Sequence, residues 1–143
     1  MPYIAALGKA AELAGERLIV ERKRITELRD RFHALLEERA GEVRLNGHPS
    51  ARLPNTLNVS FAGVAGAALL AQTPELAAST GSACHDGSGE LSGVLKAMGI
   101  SREQGFGAVR FSLGRLTTGE DIERAATFVG AAVRKTRSQG LHS

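Results

Sequence analysis

Apolar residues recur at helical spacing through the first forty positions, and at alternating spacing in short stretches after them. Ile4, Leu7, Ala11, Ala14, Leu18, Ile25, Leu28, Phe32 and Leu35 stand three, four or seven apart, which predicts a long amphipathic helix from Ile4 to Ala40. Gly8 and Gly15 weaken its first part and mark a place for a bend or a close packing contact. From Glu16 to Ala40 there is neither Gly nor Pro, and Glu27 can pair with Arg31 one turn later. A helix this long cannot hide its apolar stripe alone and wants a partner, either the rest of this chain or something missing. In a truncated product Leu18, Ile25, Leu28 and Phe32 would be exposed and drive aggregation or dimerisation.

Gly41 is a helix stop, Val43-Arg44-Leu45 alternates as a short strand, and Asn46-Gly47-His48-Pro49 is turn chemistry. Leu57-Asn58-Val59-Ser60-Phe61 reads as a half-buried strand, Ala65 to Gln72 as a short helix, and Leu76-Ala77-Ala78 as another brief strand. Ser79 to Gly89 is small, polar and glycine-rich, an exposed and mobile loop by composition. Leu91 to Met98 resumes a helical pattern that Gly99 ends, and Gly107 to Leu113 alternates Val109, Phe111, Leu113 as a strand. Thr117-Thr118-Gly119-Glu120 offers a capping box for a last helix with Ile122, Ala125, Ala126, Val129 and Val133 inward. The expected class is α+β: three or four short strands packed by helices in one domain spanning 1–143. Within it, 1–41 is the long helix, 42–143 the α+β unit, and 79–90 the loop that could carry chemistry.

Composition changes this picture little. The 143 residues suit one domain, and 23% charged residues exclude a wholly disordered chain. No apolar run approaches a membrane span and no signal-type segment opens the chain, so a cytoplasmic protein is expected. The net charge of +3 comes mostly from the C-terminal piece. Its Arg134-Lys135-Thr136-Arg137 cluster reads as basic residues meeting the negative end of a helix dipole. With 4% aromatics and no tryptophan there is no stacking platform, so neither nucleic acid nor membrane is an expected partner.

Cys84 is the only cysteine, which excludes an internal disulfide, and the histidines lack ligand spacing, so no metal site is expected. A lone cysteine is usually a small buried apolar residue. This one stands in the most glycine-rich stretch, between Gly81 and Gly87, where a reactive thiol is the competing reading. His85 beside it could favour the thiolate, although neighbouring loop residues often point apart. Arg110 alternates outward between Val109 and Phe111; it is either a solvated surface arginine, which pattern alone favours, or a clamp for a carboxylate. Arg115, after Gly114 at the strand's end, could open a helix or bind backbone.

Three segments occur in order at suitable spacing: Leu53-Pro54-Asn55-Thr56-Leu57-Asn58-Val59-Ser60-Phe61, Ser79-Thr80-Gly81-Ser82-Ala83-Cys84, and Val109-Arg110-Phe111-Ser112-Leu113-Gly114-Arg115-Leu116-Thr117-Thr118. Together they closely resemble the C-terminal part of cysteine desulfurases, class V aminotransferase-fold enzymes that use pyridoxal phosphate (PLP). The resemblance covers nearly the whole chain and is strongest from Leu45 to Ile122. It implies the small C-terminal domain of a fold-type I PLP-dependent transferase, with a long N-terminal helix and a short antiparallel or mixed sheet. In that family PLP draws electrons from bound L-cysteine while a loop cysteine attacks the substrate sulfur. L-alanine and an enzyme persulfide result, and the sulfur passes to iron–sulfur scaffold or tRNA-thiolation partners. Cys84 matches the loop nucleophile and Arg110 the arginine that grips the substrate carboxylate, with His85 and Arg115 as possible support. Full-length relatives are homodimers.

The departures are specific. Lys9, Lys23, Lys96 and Lys135 are the only lysines, and none stands in the family's Ser-x-His-Lys context for the PLP Schiff base. The chain therefore looks like the last third of such an enzyme and is expected to be inactive alone. Gly93 stands where the family commonly has Pro. His85 replaces a commoner small or hydroxyl residue, and Ala83-Cys84-His85 looks somewhat like selenocysteine lyases, which leaves L-selenocysteine as an alternative substrate. A non-catalytic sulfur carrier or docking module, and an inactive truncated product, are the remaining readings.

Overall fold

A computed structural model describes residues 1–80 and 91–140. The 79–90 loop, apart from Ser79 and Thr80, therefore lies outside the described residues, and Cys84 and His85 with it. The order is α1 (Pro2–Ala40), β1 (Val43–Leu45), β2 (Thr56–Phe61), α2 (Gly66–Ala71), β3 (Ala78–Ser79), α3 (Gly93–Ala97), α4 (Arg102–Phe106), β4 (Ala108–Ser112) and α5 (Gly119–Gly140). The strands form one sheet in the order β1-β2-β4-β3, and every neighbouring pair is antiparallel. The expected α+β class with a long first helix stands.

The alternation decides which side of the sheet meets the helices. Leu57, Val59 and Phe61 of β2, with Val109 and Phe111 of β4, are buried in a core shared with Ile25, Phe32, Leu35 and Leu36 of α1 and Ile122, Ala126, Val129 and Val133 of α5. Phe32 meets Phe111 edge to face, ring centroids 5.1 Å apart. Ile25 and Phe32 are therefore covered by the rest of this chain, and the exposed stripe expected of a truncated product does not run through them. Only the earlier half of α1 stands clear: residues 1–20 are all exposed, Leu18 among them. Gly8 and Gly15 mark no close contact there, since nothing stands within 4 Å of a Cβ built on either.

Several local expectations shift for visible reasons. Arg31 pairs not with Glu27 but with Glu123 across the helix seam, where Arg39 holds the same carboxylate. The capping box at α5 is one residue later than expected: Thr118 Oγ1 accepts from Asp121 N–H at 3.1 Å, while Asp121 Oδ2 accepts from Thr118 N–H at 3.0 Å. Thr117 instead accepts from Gly114 N–H and closes the preceding turn. Leu76 and Ala77 fall in a turn, because Leu76 N–H bonds to Thr73 O, so β3 begins only at Ala78. Helix α4 was not expected; its signal is Ser101, whose side chain caps Gln104 N–H. Gly41 ends α1 with φ of 57°, as a stop residue should.

The basic cluster near the C-terminus caps α1. Arg134 donates to Arg39 O at 2.6 Å, and Arg137 donates to Ala40 O at 2.7 Å and to Ala62 O at 3.1 Å. These carbonyls are orphans of α1's last turn and of the loop after β2, so the cluster serves the dipole of a neighbouring helix as well as its own. The helices pack tightly at Gly130, where a Cβ would stand 2.9 Å from both Arg39 Cβ and Arg39 O. Gly130→Val is expected to destabilise by about 1–3 kcal/mol through overpacking. The denaturant midpoint should fall with an unchanged slope.

The Glu123 carboxyl is held below the ordinary glutamate value of 4.5, first by its hydrogen bond from Arg31 and then by that from Arg39. A depressed carboxylate stabilises the fold above the unfolded-state pKa and loses that contribution as pH falls through the folded value. Glu123→Gln is therefore expected to lower the melting temperature at pH 7. The gap from wild type should narrow below the ordinary glutamate value, as thermal melts across that range would show.

Candidate functional site

The face of the sheet turned away from α1 and α5 is polar. Directly opposed residues of antiparallel strands share a face, and the registers Asn58↔Arg110 and Ser79↔Arg110 put these three side chains on that one. Asn46 extends the row: its backbone N–H bonds to Asn58 O at 2.9 Å, continuing the β1–β2 register by one residue. One cross-strand row, Asn46–Asn58–Arg110–Ser79, thus runs from the residue just past β1 across β2, β4 and β3.

Arg110 occupies the inner part of that row on β4, flanked by β2 and β3, and is exposed. Among the described residues its guanidinium makes no hydrogen bond and no ion pair. Seven other arginines, Arg24, Arg29, Arg31, Arg39, Arg52, Arg134 and Arg137, bond to carboxylates or to backbone carbonyls. Among the described residues Arg110's fork of donors is thus left open, as a carboxylate ligand would require. Here the sequence expectation of an outward arginine on a strand holds, and the tertiary structure adds that it has no partner among the described residues.

Beside it lies a chain of amide hydrogen bonds. Gln104 Nε2 donates to Asn46 Oδ1 at 2.7 Å, and Asn46 Nδ2 donates to Asn58 Oδ1 at 2.8 Å and to Ser60 Oγ at 2.7 Å. Asn46 is buried, and its carbonyl oxygen and both its amide hydrogens are engaged. Sequence reading assigned Asn46 to a turn and passed over Asn58 and Gln104. The outward alternation of Asn58 and Ser60 was visible, but not which strand would face them.

Arg115 stands apart from the row. It lies in the turn between β4 and α5, where its carbonyl accepts from Arg24 at 2.9 Å and its charge helps to hold the Glu21 carboxyl below its ordinary value. The strongest contributor there is the Arg24 hydrogen bond. A concavity of about 240 Å³ lined by Phe32, Phe111, Leu113, Ile122, Ala125 and Phe128 opens on the apolar side of the sheet, away from Arg110. The four lysines stand on helices α1, α3 and α5, exposed, with Lys9 bound to Glu12 at 2.9 Å, and none lies on a strand.

Comparison with known proteins places this geometry. Residues 1–125 match the family model of class-V aminotransferases. The chain is 43% identical over 137 residues to a cysteine desulfurase IscS of Anaeromyxobacter dehalogenans, covering 96% of this chain and 34% of that protein. It is likewise 43% identical over 134 residues to a cysteine desulfurase IscS of Acinetobacter baumannii, covering 94% of this chain and 33% of that protein. A solved NifS-like protein from Rickettsia africae superposes with a TM-score of 0.73 at 25% identity, over 94% of this chain and 34% of its own. A second solved NifS-like protein gives 0.71 at 26% identity, over 89% and 31%. The chain spans about a third of the length of the curated relatives it matches. It belongs to the class-V aminotransferase family.

Proposed function

We propose that these residues supply the sulfur-accepting thiol and the carboxylate anchor of a PLP-dependent cysteine desulfurase acting on L-cysteine. The observation that carries the reading is Arg110, a guanidinium on an inner strand with no protein partner among the described residues. It supports an anchor for the carboxylate of an amino-acid substrate, held by two parallel hydrogen bonds. Cys84 follows Ser79, the register partner of Arg110, by five positions. Five positions of extended chain span at most about 17 Å, a length compatible with a thiol that serves the ligand held at Arg110.

The Cys84 thiolate attacks the substrate sulfur. The new S–S bond forms as the substrate's Cβ–S bond breaks, and the electron pair left on Cβ takes a proton to complete L-alanine. Sulfur is thereby oxidised to the persulfide level and Cβ reduced, so no outside oxidant is needed. The persulfide then serves an acceptor protein of iron–sulfur assembly or thiolation. PLP's electron withdrawal is supplied where its lysine stands, in a part of the enzyme other than these residues.

The test is a chimera in which this segment replaces the matching third of the Anaeromyxobacter desulfurase. Sulfide release from L-cysteine in the presence of a thiol reductant, together with retained bound PLP, is the expected result. A folded, PLP-loaded chimera that releases none overturns the reading. In the active chimera Arg110→Ala is expected to lower kcat/KM for L-cysteine about ten- to a hundredfold, the loss of charge-assisted hydrogen bonds. Arg110→Lys should recover part of it, since it restores charge without the fork.

A further inference from the structure

Helix α1 grips the two central strands at the point where it leaves the core. Residues 1–20 are all exposed and Ile25 is the first buried residue, so Arg24 stands where the helix passes from free to packed. Its guanidinium makes four bonds. Nη1 donates to Thr117 O at 2.8 Å and Nη2 to Arg115 O at 2.9 Å, both in the turn that follows β4. Nε and Nη2 also donate to the Glu21 carboxylate, at 3.3 and 2.9 Å, which aims the fork. Five residues on, Arg29 donates to Leu53 O at 2.7 Å, in the segment that leads into β2. Leu113 N–H donates to Asn55 O at 2.8 Å and joins the two gripped segments. Asn55 precedes β2 and Leu113 follows β4, so the same end of both strands is tied to one stretch of α1. Arg110 lies on β4 two residues inside that end. Resting on the proposed role of Arg110, we infer that Arg24, aimed by Glu21, is a positioning residue that fixes the end of β4 against α1 and so sets where Arg110 stands.

Bonds to backbone carbonyls suit that role. They fix the main chain itself, whatever rotamers its side chains take, and two carbonyls held by one planar fork define orientation as well as distance. Helix α1 runs unbroken from Pro2 to Ala40, about 58 Å at 1.5 Å per residue. A shift of its uncovered half is therefore carried to Arg24, and through the turn to the strand that bears Arg110. In the enzyme proposed above PLP is held outside these residues, so an anchor that serves it has to be placed to within about 0.5 Å. The grip also gives position 115 a use, because the Arg115 carbonyl is one of the two groups that Arg24 holds.

A double-mutant cycle in the active chimera tests this. Arg24→Met keeps the apolar stem and removes every donor, and it is expected to lower kcat/KM for L-cysteine about tenfold, mainly through KM. In the Arg110→Ala background the same change should cost less than about twofold, because the anchor it positions is gone. Equal losses in both backgrounds, or no loss in the parent, overturn the inference and leave the anchor reading intact. If Arg110→Ala itself changes nothing, the anchor reading fails and this inference with it. Where Arg24→Met fails to fold or to load PLP, Glu21→Gln, which keeps Arg24 and weakens only its aim, goes through the same cycle with an expected loss of about threefold. Hydrogen exchange in the 143-residue chain decides independently of the chimera. Arg24→Met is expected to speed exchange of the Leu113 amide at least about tenfold. The Phe61 amide, which donates to Gly107 O at the other end of the same strands, should keep its rate. Equal acceleration of both amides, or of neither, overturns the inference.

Discussion

Cys84→Ser in the active chimera is expected to abolish cysteine-dependent sulfide release, a loss of at least about a thousandfold, as when an essential nucleophile is removed. Serine keeps the size of the side chain but replaces a soft sulfur nucleophile by a hydroxyl that stays protonated near neutral pH. No S–S bond can form, so the carbon–sulfur bond of the substrate has no acceptor. Mass spectrometry after exposure to L-cysteine should find the Cys84 peptide heavier by one sulfur atom in the parent chimera and unchanged in Cys84→Ser. Arg110→Ala should still gain the sulfur atom when L-cysteine is raised enough to offset weaker binding. That difference separates nucleophile from anchor. Undiminished sulfide release by Cys84→Ser would remove Cys84 from the mechanism.

The second large effect is on stability. Phe32→Ala is expected to cost about 3–5 kcal/mol, a large part of the roughly 5–15 kcal/mol that holds a typical domain together. Phe32 is 2% exposed, lies edge to face on Phe111, and joins α1 to the sheet within one core. Its ring also walls the 240 Å³ concavity, so truncation would widen an existing gap that the surroundings cannot close. Chemical denaturation would show the midpoint falling sharply. Leu7→Ala is the matched contrast: Leu7 is 72% exposed in the half of α1 that meets no core, and its change is expected to stay within about 0.5 kcal/mol. Equal losses from the two would mean that the first half of α1 is as firmly packed as the second.

Much of the fold was legible because period reports burial. Strand β2 follows from Leu57, Val59 and Phe61, β4 from Val109 and Phe111, and the inward face of α5 from Ile122, Ala126, Val129 and Val133. Helix α4 escaped because its Arg-Glu-Gln-Gly-Phe run is too short to show a period, and only the Ser101 cap marks it. The pairing of Arg31 escaped because an i,i+4 partner can be read along a chain, whereas Glu123 stands 92 positions away. Which element covers Ile25 and Phe32 escaped for the same kind of reason: α5 comes from the opposite end of the chain.

The candidate site divides along the same line. Residue type and alternation alone determined that Cys84 is the single thiol of the chain and that Arg110 faces outward from a strand. The tertiary structure decided what Arg110 faces. Strand order β1-β2-β4-β3 brings Asn46, Asn58 and Ser79 into its row, although they lie 64, 52 and 31 positions earlier. A period records which side of its own strand a residue takes. Register between strands comes from the packing of the opposite, apolar face, where sliding β2 by one residue would expel Leu57, Val59 and Phe61 from the core. The hydrophobic face thus sets the alignment of the polar one, and the site is assembled by contacts in which it takes no part.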